Sequence, residues 1–124
     1  MKYNETYDPP APVAKVKLRN SETLELIANV PMLLDTGSDV TLLPQSYCDE
    51  IGVEVSETES LELEGFNQTT TVAYYVRLDF IFLNKMFRGQ FLVYDQDEGI
   101  IGRGVLNKFT ILFDGKNLEW KEHE

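Results

Sequence analysis

The sequence predicts a single all-β domain with one or two short helices. Three observations lead there. Runs of alternating apolar and polar residues recur along the chain, as in Val13-Ala14-Lys15-Val16-Lys17-Leu18, which marks half-buried strands. These runs are separated by turn-forming clusters such as Asn20-Ser21-Glu22 and Asp114-Gly115-Lys116-Asn117. With 124 residues and 43% apolar content, the chain has the size and core material of one domain.

Residues 1–11 read as an N-terminal arm that a partner could order, because Pro9 and Pro10 lack ladder donors and fix φ, as does the following Pro12. The domain proper is expected over residues 12–120, followed by an acidic tail over 121–124. After the first strand, Leu24 to Val30 forms the return strand and Met32 to Asp35 continues it, with Pro31 expected at an edge or bend. Thr41 to Leu43 is a short strand. Pro44 suits a helix first turn and Gly52 a helix stop, giving two turns from Pro44 to Ile51. Tyr47, Cys48 and Ile51 share one face of that helix, so Cys48 is read as a packed hydrophobe.

Leu61 and Leu63 alternate with Glu62 and Glu64, and Thr69 to Val76 is rich in β-branched and aromatic residues. The two flank a hairpin tipped by Gly65-Phe66-Asn67-Gln68. Two more strands, Val76 to Phe82 and Met86 to Val93, are joined through Leu83-Asn84-Lys85. Asp95-Gln96-Asp97-Glu98 is an exposed loop without calcium-loop spacing. Gly104 to Phe109 fits a short helix, and Thr110 to Phe113 pairs with Leu118 to Trp120 in a closing hairpin.

Composition excludes several functions. Twenty-one acids against eleven bases give a net charge of −10, which is unsuited to phosphate-backbone binding. Nucleic acid is therefore not an expected partner. Glu54, Glu57, Glu59, Glu62 and Glu64 form a strongly negative segment; it could favour basic substrates or serve solubility, and charge alone selects neither. No apolar run is long enough to span a membrane and the N-terminus has no apolar signal core, so a cytoplasmic protein without membrane contact is the expectation. The single cysteine allows neither an internal disulfide nor a cysteine-based metal site, and His123 reads as solvated.

The chemistry-bearing stretch is Pro31-Met32-Leu33-Leu34-Asp35-Thr36-Gly37-Ser38-Asp39-Val40. An acid stands at the end of a buried strand, and Gly37 permits backbone amides to approach its carboxylate. Leu34-Asp35-Thr36-Gly37-Ser38 resembles the active-site loop of aspartic proteases of the retroviral, or retropepsin-like, branch. Gly99-Ile100-Ile101-Gly102-Arg103-Gly104-Val105-Leu106-Asn107 resembles that branch's second signature, in the same order along the chain. The two blocks with the strands between them make a specific signal, where either alone is weak.

The resemblance implies a closed-barrel-like retropepsin fold and an aspartic-type endopeptidase that needs no metal or cofactor. Since the chain carries one such loop, it implies a homodimer in which each Asp35 supplies one catalytic carboxylate. It also implies that Thr36 bonds across the two-fold axis, that Gly37 admits substrate backbone, and that Asp39 pairs with Arg103 to brace the loop. Ser38 is expected to donate to the outer carboxylate oxygen, which would place the pH optimum on the acidic side of neutrality. The hairpin at Gly65, Phe66 and Asn67 corresponds to the family's flap over a peptide or protein substrate, although it is short and poor in glycine. Gly104 stands where viral relatives carry asparagine or aspartate.

Two other readings compete. A dimeric half-barrel with this fold but no activity would be a peptide-binding or assembly module. An aspartyl-phosphate enzyme would need a phosphate cradle and a basic group near the acid, and neither follows Asp35.

Overall fold

A computed structural model describes residues 1–65 and 69–124. The chain runs β1 (Val13–Arg19), β2 (Leu26–Leu34), β3 (Leu42–Pro44), α1 (Gln45–Glu50), β4 (Ser60–Glu64), β5 (Thr70–Phe82), β6 (Lys85–Tyr94), β7 (Gly99–Ile101), α2 (Arg103–Leu106), β8 (Ile111–Asp114) and β9 (Glu119–Glu122). Six strands form a closed ring in the order β1-β2-β7-β3-β6-β5, with β5 returning to β1, while β4 pairs on the outside of β5. Closure removes the unpaired edges that an open sheet would present.

Alternation drives the ring. Ala14, Val16 and Leu18 of β1 are buried and point inward with Val76, Leu78, Phe80 and Phe82 of β5, while Lys15 and Lys17 face water. Trp120, 2% exposed, packs into the main core with its ring tilted against Phe82, whose ring also meets Phe109 edge-on at 5.0 Å. The barrel closes at Asp79. Its Cα is in register with Arg19 on one side and Arg88 on the other, and its fully buried carboxylate accepts from Arg19 Nε at 2.9 Å, Arg88 Nε at 2.8 Å and Ser21 Oγ at 3.1 Å. The bonds from Arg88 hold the carboxyl well below the usual carboxylate range, with Arg19 and Ser21 adding to them and burial opposing.

Several elements differ in extent from the sequence reading. Pro31 lies within one continuous strand rather than at an edge. Leu34 N–H bonds Pro12 O toward β1 and Asp35 N–H bonds Ile101 O toward β7. By alternation, the Pro31 nitrogen faces β7 one residue before that ladder starts at Met32 and Gly99, so no donor is missed. The bend occurs earlier, where the β1–β2 register shifts between Val16 and Leu18 and Asn29 takes φ 60°. The stretches on either side of Val76 are one strand, β5, thirteen residues long. Leu83 and Asn84, at φ 50° and 63°, make a two-residue turn of the hairpin-favouring type between Phe82 and Lys85.

Helix α1 ends as the sequence predicts. Gly52 at φ +69° follows it, with Gly52 N–H bonding Asp49 O and Val53 N–H bonding Cys48 O, a paired C-terminal cap. Cys48 is fully buried, and burial pushes its thiol up to about 12. Helix α2 is shorter than expected, ending at Leu106. The N-terminal arm lies on the chain's own β9: Met1 and Trp120 exchange backbone bonds at 2.7 Å, and Tyr3 N–H bonds Leu118 O. Farther along the arm, the Tyr7 hydroxyl donates to the Glu98 carboxylate. Among the described residues no helix is long and apolar enough to cross a membrane.

Candidate active site

Asp35 follows the last residue of β2, where the parallel pairing of β2 with β7 ends. Its amide is anchored on Ile101 O at 3.0 Å, so β7 fixes where the loop begins. The side chain is half-buried, and its Oδ1 accepts the Gly37 amide at 2.9 Å. A Cβ at Gly37 would lie 3.1 Å from that same oxygen, so the absent side chain is what lets the amide approach so closely. Thr36 and Gly37 are exposed beyond the carboxylate.

The loop is braced from the second signature. Arg103 N–H donates to Ser38 O at 2.8 Å, and Arg103 Nη1 donates to Thr36 O, also at 2.8 Å. Gly102 N–H donates to Thr41 Oγ1 at 3.0 Å. A Cβ on Gly102 would fall 2.2 Å from Val40 O, so only glycine lets the two signatures meet backbone to backbone. Gly104 lies in α2, whose N-cap is Gly102 and which has no side-chain cap.

Two sequence expectations are corrected here. Asp39 and Arg103 form no ion pair; both are exposed, and the guanidinium instead braces the loop through the Thr36 carbonyl. Ser38 Oγ donates to Val40 O at 2.8 Å rather than to Asp35. The backbone carbonyls of Thr36 and Val40 accept from these two side chains instead.

The corrections change what the variants should do. Arg103→Ala removes one charge-assisted bond to an exposed carbonyl, and the expected loss of stability is about 1 kcal/mol, read from urea unfolding. A loss of several kcal/mol would mean that a buried pair exists after all. Ser38→Ala should leave the acid limb of any pH–rate profile in place, since the hydroxyl is spent on Val40. An upward displacement of that limb would return Ser38 to the carboxylate.

Of the flap residues, Gly65 is exposed and its amide bonds Thr69 O at 2.8 Å; Phe66 and Asn67 lie outside the described residues. Thr41, the partner of Gly102, escaped the sequence reading, although its place just after the loop and the glycine of the second signature were both visible. Beside the loop, Leu42, Ala73 and Leu92 form a second apolar cluster on which Val40, Leu63 and Ile100 pack. It lies across β3 and β7 from the main core, which takes Leu43 and Ile101. A groove of about 610 Å³ opens elsewhere, between the Asn20–Thr23 turn, Glu54 and Arg77, and no residue of the Asp35 loop lines it. Among the described residues no three His, Cys, Asp or Glu side chains are grouped as a metal ion would require.

A family model described as aspartyl protease matches residues 14–105, a span that contains both the Asp35 loop and the Gly102-Arg103 brace. A search of curated proteins finds no match. Among solved structures, the EIAV protease complexed with the inhibitor HBY-793 shares the fold at a TM-score of 0.61 and 17% identity, over 87% of this chain and 93% of that one. The closed barrel thus has the fold of a retroviral protease, and with the family model spanning most of the chain, the chain belongs to the aspartyl protease family.

Proposed function

We propose that the protein is an aspartic endopeptidase whose active site is completed by a second copy of the chain. The observation that carries this reading is Asp35 itself. Its carboxylate is held by the Gly37 amide at the exposed end of a braced loop, and the chain has one such loop. Peptide hydrolysis by carboxylates needs one ionised group to take a proton from water and one protonated group to donate to the carbonyl oxygen. Two carboxyls sharing a site favour that mixed state, because both cannot easily ionise together.

In the proposed dimer, the ionised Asp35 accepts a proton as the water oxygen bonds the scissile carbonyl carbon. The protonated Asp35 of the other subunit gives its proton to the carbonyl oxygen. The resulting tetrahedral diol collapses as the C–N bond breaks and the amine leaves with a proton from the pair, so one peptide and one water become an acid and an amine. In this reading Thr36, exposed at the loop tip, bonds the partner's loop, and Gly37 leaves room for substrate backbone. The apolar cluster around Leu42, Val40 and Ile100 supports apolar substrate side chains resting beside the loop.

The test is an unbiased peptide library with purified protein, with Asp35→Asn as control. Cleavage by wild type alone, blocked by a statine-type inhibitor, is the expected result. Failure to cleave any member at any pH from 3 to 8, with inhibitor bound or not, would leave the peptide-binding module as the better reading.

A further inference from the structure

We infer that the outer face of β1, β5 and β6 docks an extended acidic segment of a partner polypeptide, on a surface separate from the Asp35 loop. Side chains alternate along a strand, so while Val16, Leu18, Leu78 and Phe80 fill the core, the residues between them share the opposite face. The ladders set these side by side: Lys17 with Ile81 and Met86, Arg19 with Asp79 and Arg88, and Arg77 with Gln90, while Lys15 stands two residues back along β1. Five of the chain's eleven basic residues are thus gathered on one face. The acid among them is Asp79, which is fully buried and already bonded to Arg19 and Arg88.

In a chain at −10 such a gathering of cations stands against the overall charge. Lys15, Lys17 and Arg77 are exposed and have no ion-pair partner among the described residues. The two arginines that do have one are fixed by it. Arg19 Nε and Arg88 Nε hold Asp79 at 2.9 and 2.8 Å, Arg88 Nη2 adds a bond at 3.2 Å, and Arg19 Nη2 rests on Met86 Sδ at 3.3 Å. The Nη1 group of each takes no bond among the described residues. Held in this way, both guanidiniums can meet an incoming carboxylate with little further loss of side-chain freedom.

Charge and spacing select the occupant. Lys15, Lys17 and Arg19 recur at every second residue of β1, about 7 Å apart, and an extended segment with acids at alternate positions repeats at the same interval. Leu26, 50% exposed, stands opposite Arg19 on β2, and Met86, 47% exposed, lies on its other side. These apolar side chains suit a polypeptide better than a phosphate backbone. Glu22, Glu54 and Glu59 line the groove that opens at Arg77. A broad anionic surface, such as a bilayer or a nucleic-acid duplex, would be pressed against those glutamates, whereas a segment a few residues long can stay on the cations.

Fluorescence anisotropy on the purified full chain tests this, with a labelled peptide of alternating glutamate and serine as the probe and mass spectrometry to verify that the probe stays intact. Wild type should bind it. The double variant Lys15→Glu, Lys17→Glu, whose exposed side chains make no bond in the fold, should keep the wild-type circular dichroism while the dissociation constant rises at least about tenfold, and Arg77→Glu should act in the same direction. Lys15→Arg with Lys17→Arg should bind as wild type does. No binding of the probe at millimolar protein, reversal variants that bind as wild type does, or anionic vesicles or a DNA duplex bound more tightly than the peptide and lost in the same variants would each overturn the inference. Because Asp35 takes no part, a chain that binds the probe and cleaves nothing would sink the proposed activity alone, and an active chain that ignores the probe would sink this surface alone.

Discussion

Asp35→Asn is expected to abolish peptide hydrolysis while leaving the barrel intact. The amide keeps the shape of the carboxylate and can still accept the Gly37 amide through its oxygen, so the loop loses no contact that the structure shows. What it loses is the ability to take a proton from water. Removing a group that acts as part of a catalytic unit typically lowers kcat by on the order of 10⁴ or more. The check is kcat/KM on the best library peptide, with the thermal unfolding midpoint measured beside it. A variant with near-wild-type turnover would remove Asp35 from the chemistry, whereas a variant that fails to fold would show that the carboxylate charge is needed for the loop.

The largest effect on stability is expected at Asp79. Asp79→Ala leaves Arg19 and Arg88 without their shared acceptor at the point where the barrel closes. Breaking a buried pair typically costs about 3 to 5 kcal/mol; with the Arg88 side chain 57% exposed, solvent recovers part of this, and about 3 kcal/mol is expected. The pH dependence has a definite sign. Because the folded-state pKa is depressed, the contribution is complete above the unfolded value of about 4 and is lost as pH falls from there toward the folded value. Wild-type stability should therefore decline below about pH 4, and Asp79→Ala should flatten that decline. Urea midpoints at pH 3 and pH 7 for both proteins decide it. Equal pH slopes would show that other carboxylates carry the acid sensitivity.

Local patterns explain why most of the barrel was legible. Alternation in β1 and the turn residues at Leu83-Asn84 and Asp114–Asn117 act over a few neighbours, and the structure places its strands and hairpin turns there. The hairpin that aligns Asp79 with Arg88 was visible, but its turn is one residue tighter than the Leu83-Asn84-Lys85 connection expected from the sequence, and that residue sets the register. The place of Arg19 could not be read, because its register with Asp79 depends on barrel closure between strands far apart in sequence. The continuity of β2 through Pro31 was hidden for a similar reason: whether a proline breaks a strand depends on which neighbour its nitrogen faces, and that neighbour, β7, comes late in the chain.

The site shows the same division. The positions of Asp35 and Gly37 follow from the loop's own residues, and the Gly37 amide lies on the carboxylate. The partners of Ser38 and Arg103 could not be read by pairing opposite charges or the nearest hydroxyl, because the unmet needs in this loop are the carbonyls of Thr36, Ser38 and Val40. Backbone acceptors carry no signature in a sequence. The arm was expected to need a partner because of its prolines, which govern residues 9–12, while Met1 to Tyr3 lie along Leu118 and β9 through backbone bonds that involve none of them.

The claim on which this account turns is that one active site is built from two chains, and a subunit-mixing assay tests it most directly. Wild-type protein is held at fixed concentration and Asp35→Asn protein is added in increasing excess, with time for subunits to exchange. If each site needs one Asp35 from each chain, random assortment places most wild-type chains in mixed dimers, and a tenfold excess should lower the rate about tenfold. A rate that stays constant as inactive protein is added would mean that a single chain carries a complete site, and would contradict the account.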